Sequence, residues 1–325
     1  MSTIKRIGIV RDGNVNESDA MTFQAVGTPS LPVYMCGRHS LPGLAMPEHV
    51  YDDLGSLRNY DLLDVADFMY PWTQELALSH PNVVATIWEN IPYNYWREGM
   101  QDVLNGIKGY IARSELAKET LLLYGIDKGA IEVIPAGVDT ELFRPHKHGL
   151  TKTVLFAGRL VWEKGVKDLL FASVGQGWKL RFAGDGPLSE WIVDAALALK
   201  VDCELLGHVP HKEMPDFFAS GDVLVLPSLV TPTWVEQFGI VAIEAMACGV
   251  PAVTTDTGAF LEIVPSPVLT IPPCRWDLLR DKINWVLGSE SDWLIMRKRM
   301  RSHAEEQYSS IVIGERLREF YGRYL

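Results

Sequence analysis

The sequence predicts an α/β protein of two units, each built on a parallel β-sheet with helices on both faces. Three observations predict it. Short runs rich in Val, Ile, Leu and Phe recur along the whole 325 residues. Helical stretches separate them, as βαβ units require. A polar seam broken by Pro and Gly interrupts the alternation near its middle. The runs, in order, are Arg6–Val10, Pro32–Cys36, Val83–Trp88, Tyr110–Ala112, Ile131–Pro135, Thr153–Ala157, Leu180–Ala183, Cys203–Leu206, Val223–Leu226 and Ala252–Thr255. Several are almost continuously apolar, as strands covered on both faces must be. Glu115–Tyr124, Leu188–Lys200 and Ile240–Cys248 are the clearest helices between them. The seam, Glu141–Lys152, reads ELFRPHKHGLTK, and a fresh strand follows it. It places one unit at residues 1–143 and a second at 150–305. The last stretch, Ile311–Leu325, is amphipathic and can pack against either unit, a last helix over 308–325 packing back on the first being one outcome.

Composition narrows the function. Apolar residues make up 47% and charged residues 22%, enough to build a core and too balanced for a disordered chain. The 41 Asp+Glu outnumber the 30 Lys+Arg, for a formal charge of −11, so no basic face is expected and nucleic acid is not an expected partner. Cys36, Cys203, Cys248 and Cys274 form no CxxC pair, which argues against a zinc ribbon or disulfide framework and for a reducing cytoplasm. The apolar run after Lys5 and Arg6 is too short for a signal peptide, and no stretch nears the roughly 20 residues that cross a bilayer. From Met1 to Phe143 there are 10 Lys+Arg and 19 Asp+Glu, so bulk charge does not support membrane docking. An aromatic patch near Tyr93–Trp96 leaves a peripheral contact with the membrane inner face open.

In parallel sheets, ligands meet the loops that follow the strands, often in a crevice between domains. After Val223–Leu226 comes PSLVTPTWVEQFGIVAIEAMACGVPAVTTD. Gln237–Gly239 reads as a helix start, and Gly249 with Pro251 as its end. Glu236 precedes the helix and Glu244 lies inside it, two turns on and rotated by roughly 80°. The two carboxylates therefore reach different parts of one elongated ligand. The N–H groups of Phe238, Gly239 and Ile240 at the helix start form an anion or hydroxyl site. After Thr153–Ala157 comes GRLVWEKG, in which Arg159 and Lys164 suit a diphosphate. Taken singly, these segments also fit a helix with surface glutamates and a solvated loop where Glu163 balances Lys164. GDGPLS (184–189) similarly nears the dinucleotide fingerprint, with Ser189 in place of its last glycine and Pro187 inside the turn.

Together, GRLVWEKG and EQFGIVAIEAMACGVPAV resemble the retaining glycosyltransferases of family 4, with Glu236 and Glu244 as the family's E-x7-E pair. ARSELAKETLLLYGIDKGAIEVIPAGVDTELFRP, LRFAGDGP and LLGHVPHKEMPDFFASGDVLVLPS follow the family's order of strands and loops. The likeness runs from about Ile111 to Ile263. It implies the GT-B fold, two Rossmann-like domains facing across a cleft, with the nucleotide-sugar donor on the second. By this resemblance Arg159 and Lys164 bind the donor diphosphate and Glu244 holds the ribose hydroxyls. Glu236, with the N–H groups of Phe238, Gly239 and Ile240, contacts the transferred sugar. His208 and Val209 lie near the nucleobase. The implied activity is hexosyl transfer with retention, from a nucleoside-diphosphate sugar to a saccharide, lipid-linked or small-molecule acceptor. No separate cofactor is implied. No metal is expected either, since the chain contains no Asp-x-Asp. The physics agrees, because fixed cations and N–H donors stabilise the charge that develops on a departing diphosphate.

The first half departs from the family. Its first strand leads into RDGNVNESDAM, where Gly13 supplies flexibility and Asn14 and Asn16 supply donors near the phosphates. After Val83–Ile87, where the family places a histidine, the chain reads TIWENIPYNYW. Glu89 is the best candidate there for a polar contact to sugar or acceptor, and it joins Glu236 as a catalytic candidate. Trp88, Tyr93, Tyr95 and Trp96 fit a sugar-lined turn and a packed core equally well. The missing histidine keeps an alternative open: a non-catalytic GT-B-like subunit that binds a nucleotide or a partner.

Overall fold

The computed structural model describes residues 4–11, 22–39, 46–91, 99–147, 149–265 and 269–325. The chain divides into two compact units, Met1–Asp139 with Tyr308–Leu325, and Thr140–Gln307. The sequence seam had placed these divisions at 143/150 and 305.

The first unit holds a seven-stranded sheet: β1 (Ile7–Val10), β2 (Val33–Gly37), β3 (Glu48–Val50), β4 (Leu62–Val65), β5 (Val83–Ile87), β6 (Ile107–Ala112) and β7 (Ile131–Val133). Its order is β3-β2-β1-β4-β5-β6-β7, and its ladders are parallel. Helices α1 (Pro71–Ser79), α2 (Met100–Gly106) and α3 (Glu115–Leu123) connect the strands. Pro71 opens α1, where its missing N–H costs nothing. Ser114 caps α3, its Oγ accepting from Ala117 N at 2.9 Å. β1, β4 and β5 are buried along their whole length, which is why β1 (IGIV) and β5 (VVATI) read as largely apolar runs.

Strand β4 has no counterpart among the sequence-predicted runs, because Asp64 interrupts its apolar pattern. The carboxylate is wholly buried. Three donors compensate its desolvation: Arg11 Nη2 at 3.2 Å, the single hydroxyl of Thr86, which lies 2.8 and 2.9 Å from the two carboxylate oxygens, and the Tyr321 hydroxyl. Tyr321 belongs to the terminal helix Ser310–Gly322, whose Ile313, Leu317 and Phe320 complete a core with Ile7, Ile9, Val84 and Ile111. Arg316 and Arg318 of the same helix donate to the carbonyls of Val133 and Ala25.

The second unit holds β8 (Thr153–Ala157), β9 (Lys179–Ala183), β10 (Asp202–Leu205), β11 (Val223–Leu226), β12 (Ala252–Thr255) and β13 (Thr270–Ile271). Their order is β10-β9-β8-β11-β12-β13, again with parallel ladders. Helices α4 (Val166–Ser173), α5 (Ser189–Leu199), α6 (Met214–Ala219) and α7 (Ile240–Ala247) follow the first strands, and Trp276–Val286 and Glu290–Tyr308 come later. The seam is held more firmly than a plain linker. Phe143 is buried against Phe218, Arg297 donates to the His146 carbonyl, and Arg301 donates to those of Thr140 and Phe143.

Each sheet reverses its strand order once, at β1/β4 and at β8/β11. The loops leaving such a pair diverge, and the carboxyl ends of the strands there form a natural crevice. Among the described residues no helix is long and apolar enough to cross a membrane.

Candidate functional site

The β8/β11 switch of the second unit joins two of the residues singled out above. The loop after β8 ends at Gly165 (φ +67°), and a Cβ there would stand 1.8 Å from the Pro227 carbonyl oxygen. Only glycine lets the two loops come this close. The backbones also bond, Leu229 N to Glu163 O at 2.7 Å. Lys164 is thereby delivered to Glu236, its Nζ lying 3.0 and 2.7 Å from the two carboxylate oxygens. Ser228 Oγ donates to Oε2 at 2.8 Å, and the Lys164 ammonium also lies 5.2 Å from the centre of the Trp234 ring. The side chains of Lys164 and Glu236 are only 19% and 10% exposed. Glu236 is therefore no surface glutamate. Its backbone is fixed as well, since a Cβ on Gly258 (φ +55°) would fall 1.9 Å from the Glu236 carbonyl oxygen. Thr255 Oγ1 donates to the Ser228 carbonyl at 2.6 Å, which holds the hydroxyl's own residue in place.

Glu244 lies in the second turn of α7 and is 4% exposed. Its Oε1 meets Nε2 of His211 at 3.0 Å. An ionised carboxylate only accepts, so Nε2 carries the hydrogen. Gly239 starts the helix in the left-handed region (φ +80°), and a Cβ there would lie 2.3 Å from the Phe260 ring. Phe238 is buried, while Gly239 and Ile240 are half-buried at the head of α7. Arg159 is exposed, and its guanidinium makes no hydrogen bond or ion pair among the described residues. His208 is exposed and Val209 half-buried after β10. The structure thus pairs Lys164 with Glu236 and Glu244 with His211. The described contacts do not tie Arg159, His208 or Val209 to either pair.

The glycines of GDGPLS have a use inside the protein. Added Cβ atoms at Gly184 and Gly186 would come within 2.0 Å of the Gly158 and 2.4 Å of the Leu160 carbonyl oxygens. Gly184 N also donates to Gly207 O at 2.7 Å. These glycines serve the packing of three strand-end loops against one another.

In the first unit, Gly13 and Asn14 fall outside the described residues, as do Asn16 and Pro92–Trp96. Trp88 is half-buried, with the Arg113 guanidinium 5.1 Å from its ring centre. Asn90 is buried and accepts from Ser114 Oγ at 2.7 Å, so it helps anchor the start of α3. Glu89 is half-buried close to Asp67, which carries no sequence signal because the strand before it, β4, is broken in its apolar pattern by Asp64. Burial, and then the negative charge of Asp67, raise the Glu89 carboxyl to about 7. Burial raises Asp67 to about 7 as well, opposed by the Trp88 N–H (3.3 Å) and by Arg11. Tyr70 is pushed up too, by burial and then by both carboxyls.

These shifts set a pH dependence. A carboxyl raised in the folded chain keeps its proton longer than in the unfolded chain. Folding stability is therefore full below the unfolded values near 4 and is lost as pH rises through about 7. Glu89→Gln is expected to raise the unfolding temperature at pH 8 and to flatten its decline from pH 4.5. Melting curves across that range check this; an unchanged slope refutes the coupling.

The model of glycosyl transferases group 1 matches residues 138–307, just over half of the chain. That of glycosyltransferase family 4 matches residues 11–142. The gpi3 subunit of phosphatidylinositol N-acetylglucosaminyltransferase from Schizosaccharomyces pombe is 29% identical over 230 residues, 67% of this chain and 49% of that protein. A D-inositol 3-phosphate glycosyltransferase from Paenarthrobacter aurescens is 32% identical over 191 residues, 50% of this chain and 44% of that protein. The matches thus span about half of these curated relatives or less. Among solved structures, Anabaena HepE in complex with UDP matches with a TM-score of 0.81 at 17% identity, over 98% of this chain and 100% of that one. A glycosyltransferase from Rickettsia africae matches with a TM-score of 0.80 at 16% identity, over 98% of each chain. With its two parallel sheets and these matches, the chain belongs to the glycosyl transferases group 1 family, within glycosyltransferase family 4, and has the GT-B fold.

Proposed function

We propose that this chain is a retaining glycosyltransferase that takes a sugar from a nucleoside-diphosphate donor. The observation that carries the reading is the Lys164–Glu236–Ser228 cluster at the β8/β11 switch. It sets a cation and a carboxylate, both largely shielded from water, at the strand ends where a diphosphate and its sugar would meet. On this reading Arg159 and Lys164 take the diphosphate oxygens. Glu236 and the backbone N–H groups of Phe238, Gly239 and Ile240 orient the sugar. Glu244 takes the ribose hydroxyls, and His208 with Val209 flank the base. The bond from the anomeric carbon to the diphosphate breaks with its electron pair going to the leaving oxygen. The acceptor oxygen then bonds to the anomeric carbon on the same face and passes its proton to the departing phosphate. Within the first unit, Glu89, with Asp67 beside it, is the candidate for a polar contact to an acceptor hydroxyl.

Relatives named for inositol-containing acceptors favour a polyol hydroxyl as the acceptor group. The Anabaena structures with UDP and with UDP-glucose favour a uridine donor. A second reading, a nucleotide-binding subunit without its own chemistry, draws on the S. pombe relative being a subunit and on Glu89 and Asn90 standing where the family carries a histidine.

The test is a thermal-shift panel of UDP, GDP and ADP with their hexose conjugates, followed by NMR of any product. At least one nucleotide is expected to raise the melting temperature by several degrees, by binding only the folded state. A panel without response overturns the donor reading. A product with inverted anomeric configuration overturns retention, and binding without transfer to any polyol favours the subunit reading. Glu236→Ala is expected to lower turnover more than nucleotide affinity.

A further inference from the structure

Glu244 is almost dry, and a buried carboxylate needs hydrogen-bond donors. His211 supplies one from a different part of the sheet. It opens the turn His211–Glu213, after Pro210, whose ring presets the chain direction (φ −57°). Its ring stands edge-on to Phe143, with centroids 5.1 Å apart and planes at 65°. Phe143 is itself buried against Phe218. Packing therefore sets the ring plane, and the ring sets the direction of its Nε2–H toward Glu244 Oε1. The terminal torsion of a glutamate is broad, so a carboxylate without such a pin samples many orientations.

We propose that His211 is a positioning residue for Glu244: its Nε2–H fixes one carboxylate oxygen so that the group is presented in a single orientation to the ribose hydroxyls of a nucleoside diphosphate. This rests on the reading of Glu244 given above and adds to it the residue that makes Glu244 selective. Imidazole suits the task better than an ammonium on a flexible stem, because its N–H direction is fixed once the ring is packed. If His211 acts by holding Glu244, as the 3.0 Å from Nε2 to Oε1 allows, its effect must vanish when Glu244 is absent.

The experiment is calorimetric titration of the full chain with UDP, GDP and ADP, the tightest binder then being used for His211→Ala, His211→Gln, Glu244→Ala and the double alanine variant. The loss of one hydrogen bond to a charged acceptor leads us to expect His211→Ala to weaken binding by about tenfold. His211→Gln, whose amide can donate from a similar position, is expected to stay within about threefold of the parent chain. The double variant is expected to bind no more weakly than Glu244→Ala alone. Parent-like affinity in His211→Ala overturns the proposal. So does a His211→Ala loss that adds in full on top of Glu244→Ala, and so does a glutamine variant that fails as badly as alanine, which would make the role one of packing against Phe143. Parent-like affinity in Glu244→Ala, or no binding of any of the three nucleotides, overturns the ribose reading itself, and the proposal falls with it.

Discussion

Lys164→Ala is expected to weaken nucleoside-diphosphate binding by on the order of a hundredfold and to destabilise the second unit by about 3 kcal/mol. The two effects have one cause. Lys164 is the cation that neutralises Glu236 in a site where both side chains are largely shielded from water. Truncation removes a charge the diphosphate would use and takes from the shielded Glu236 carboxylate the ammonium that lies 2.7 Å from it. The stability loss should therefore be recovered in large part by adding Glu236→Gln, while the affinity loss should not. Urea unfolding of the single and double variants separates the two. If the double variant is as unstable as the single one, the pair is not what holds this corner together. If Lys164→Ala binds UDP as the parent does, the ammonium has no part in gripping phosphate.

Gly165→Ala is expected to cost about 3 kcal/mol or more, a large effect for one methyl group. The left-handed backbone at φ +67° accounts for about 1 kcal/mol of this. The rest arises because the new Cβ would sit 1.8 Å from the Pro227 carbonyl oxygen, so the β8 and β11 loops must part. Gly175→Ala is the control. Its φ of +74° is similar, but nothing lies within 4 Å of the added atom. That variant should lose only the backbone portion, about 1 kcal/mol. Equal losses in urea for the two variants would show that loop contact contributes nothing. Because the parted loops also carry Lys164 and Glu236, Gly165→Ala should weaken nucleotide binding, whereas Gly175→Ala should not.

Much of the architecture was legible because parallel strands covered on both faces leave an apolar signature. β11 (VLVL) carries it without interruption, β8 and β12 carry it with threonines at one end, and all three match their expected boundaries, Thr153–Ala157, Val223–Leu226 and Ala252–Thr255. β4 was hidden by Asp64, whose charge is acceptable only because Arg11, Thr86 and Tyr321 arrive from elsewhere in the chain. The site behaved in the same way. Lys164 and Glu236 could each be picked out by residue type, but not as a pair. They stand 72 residues apart, and it is the adjacency of β8 and β11, skipping β9 and β10, that brings them together. His211 left no mark in the sequence, because a histidine after a strand says nothing about which carboxylate it will face. Asp67 was missed for the reason β4 was. The glycine spacing in GDGPLS pointed toward a cofactor because close approach to a backbone and close approach to a phosphate ask for the same residue.

The terminal helix has a consequence for how the chain is made. One wall of the first unit's hydrophobic interior consists of Ile313, Leu317 and Phe320, and the phenol that caps the buried Asp64 is at position 321. A nascent chain emerges with its amino end first, so every strand of the first sheet is out long before those side chains exist. Residues 140–307, the whole of the other unit, are made in between. The usual order, in which the leading half is finished first, is therefore reversed here. The leading half stays incomplete, with a charged group lacking one of its donors, until the trailing half has been synthesised.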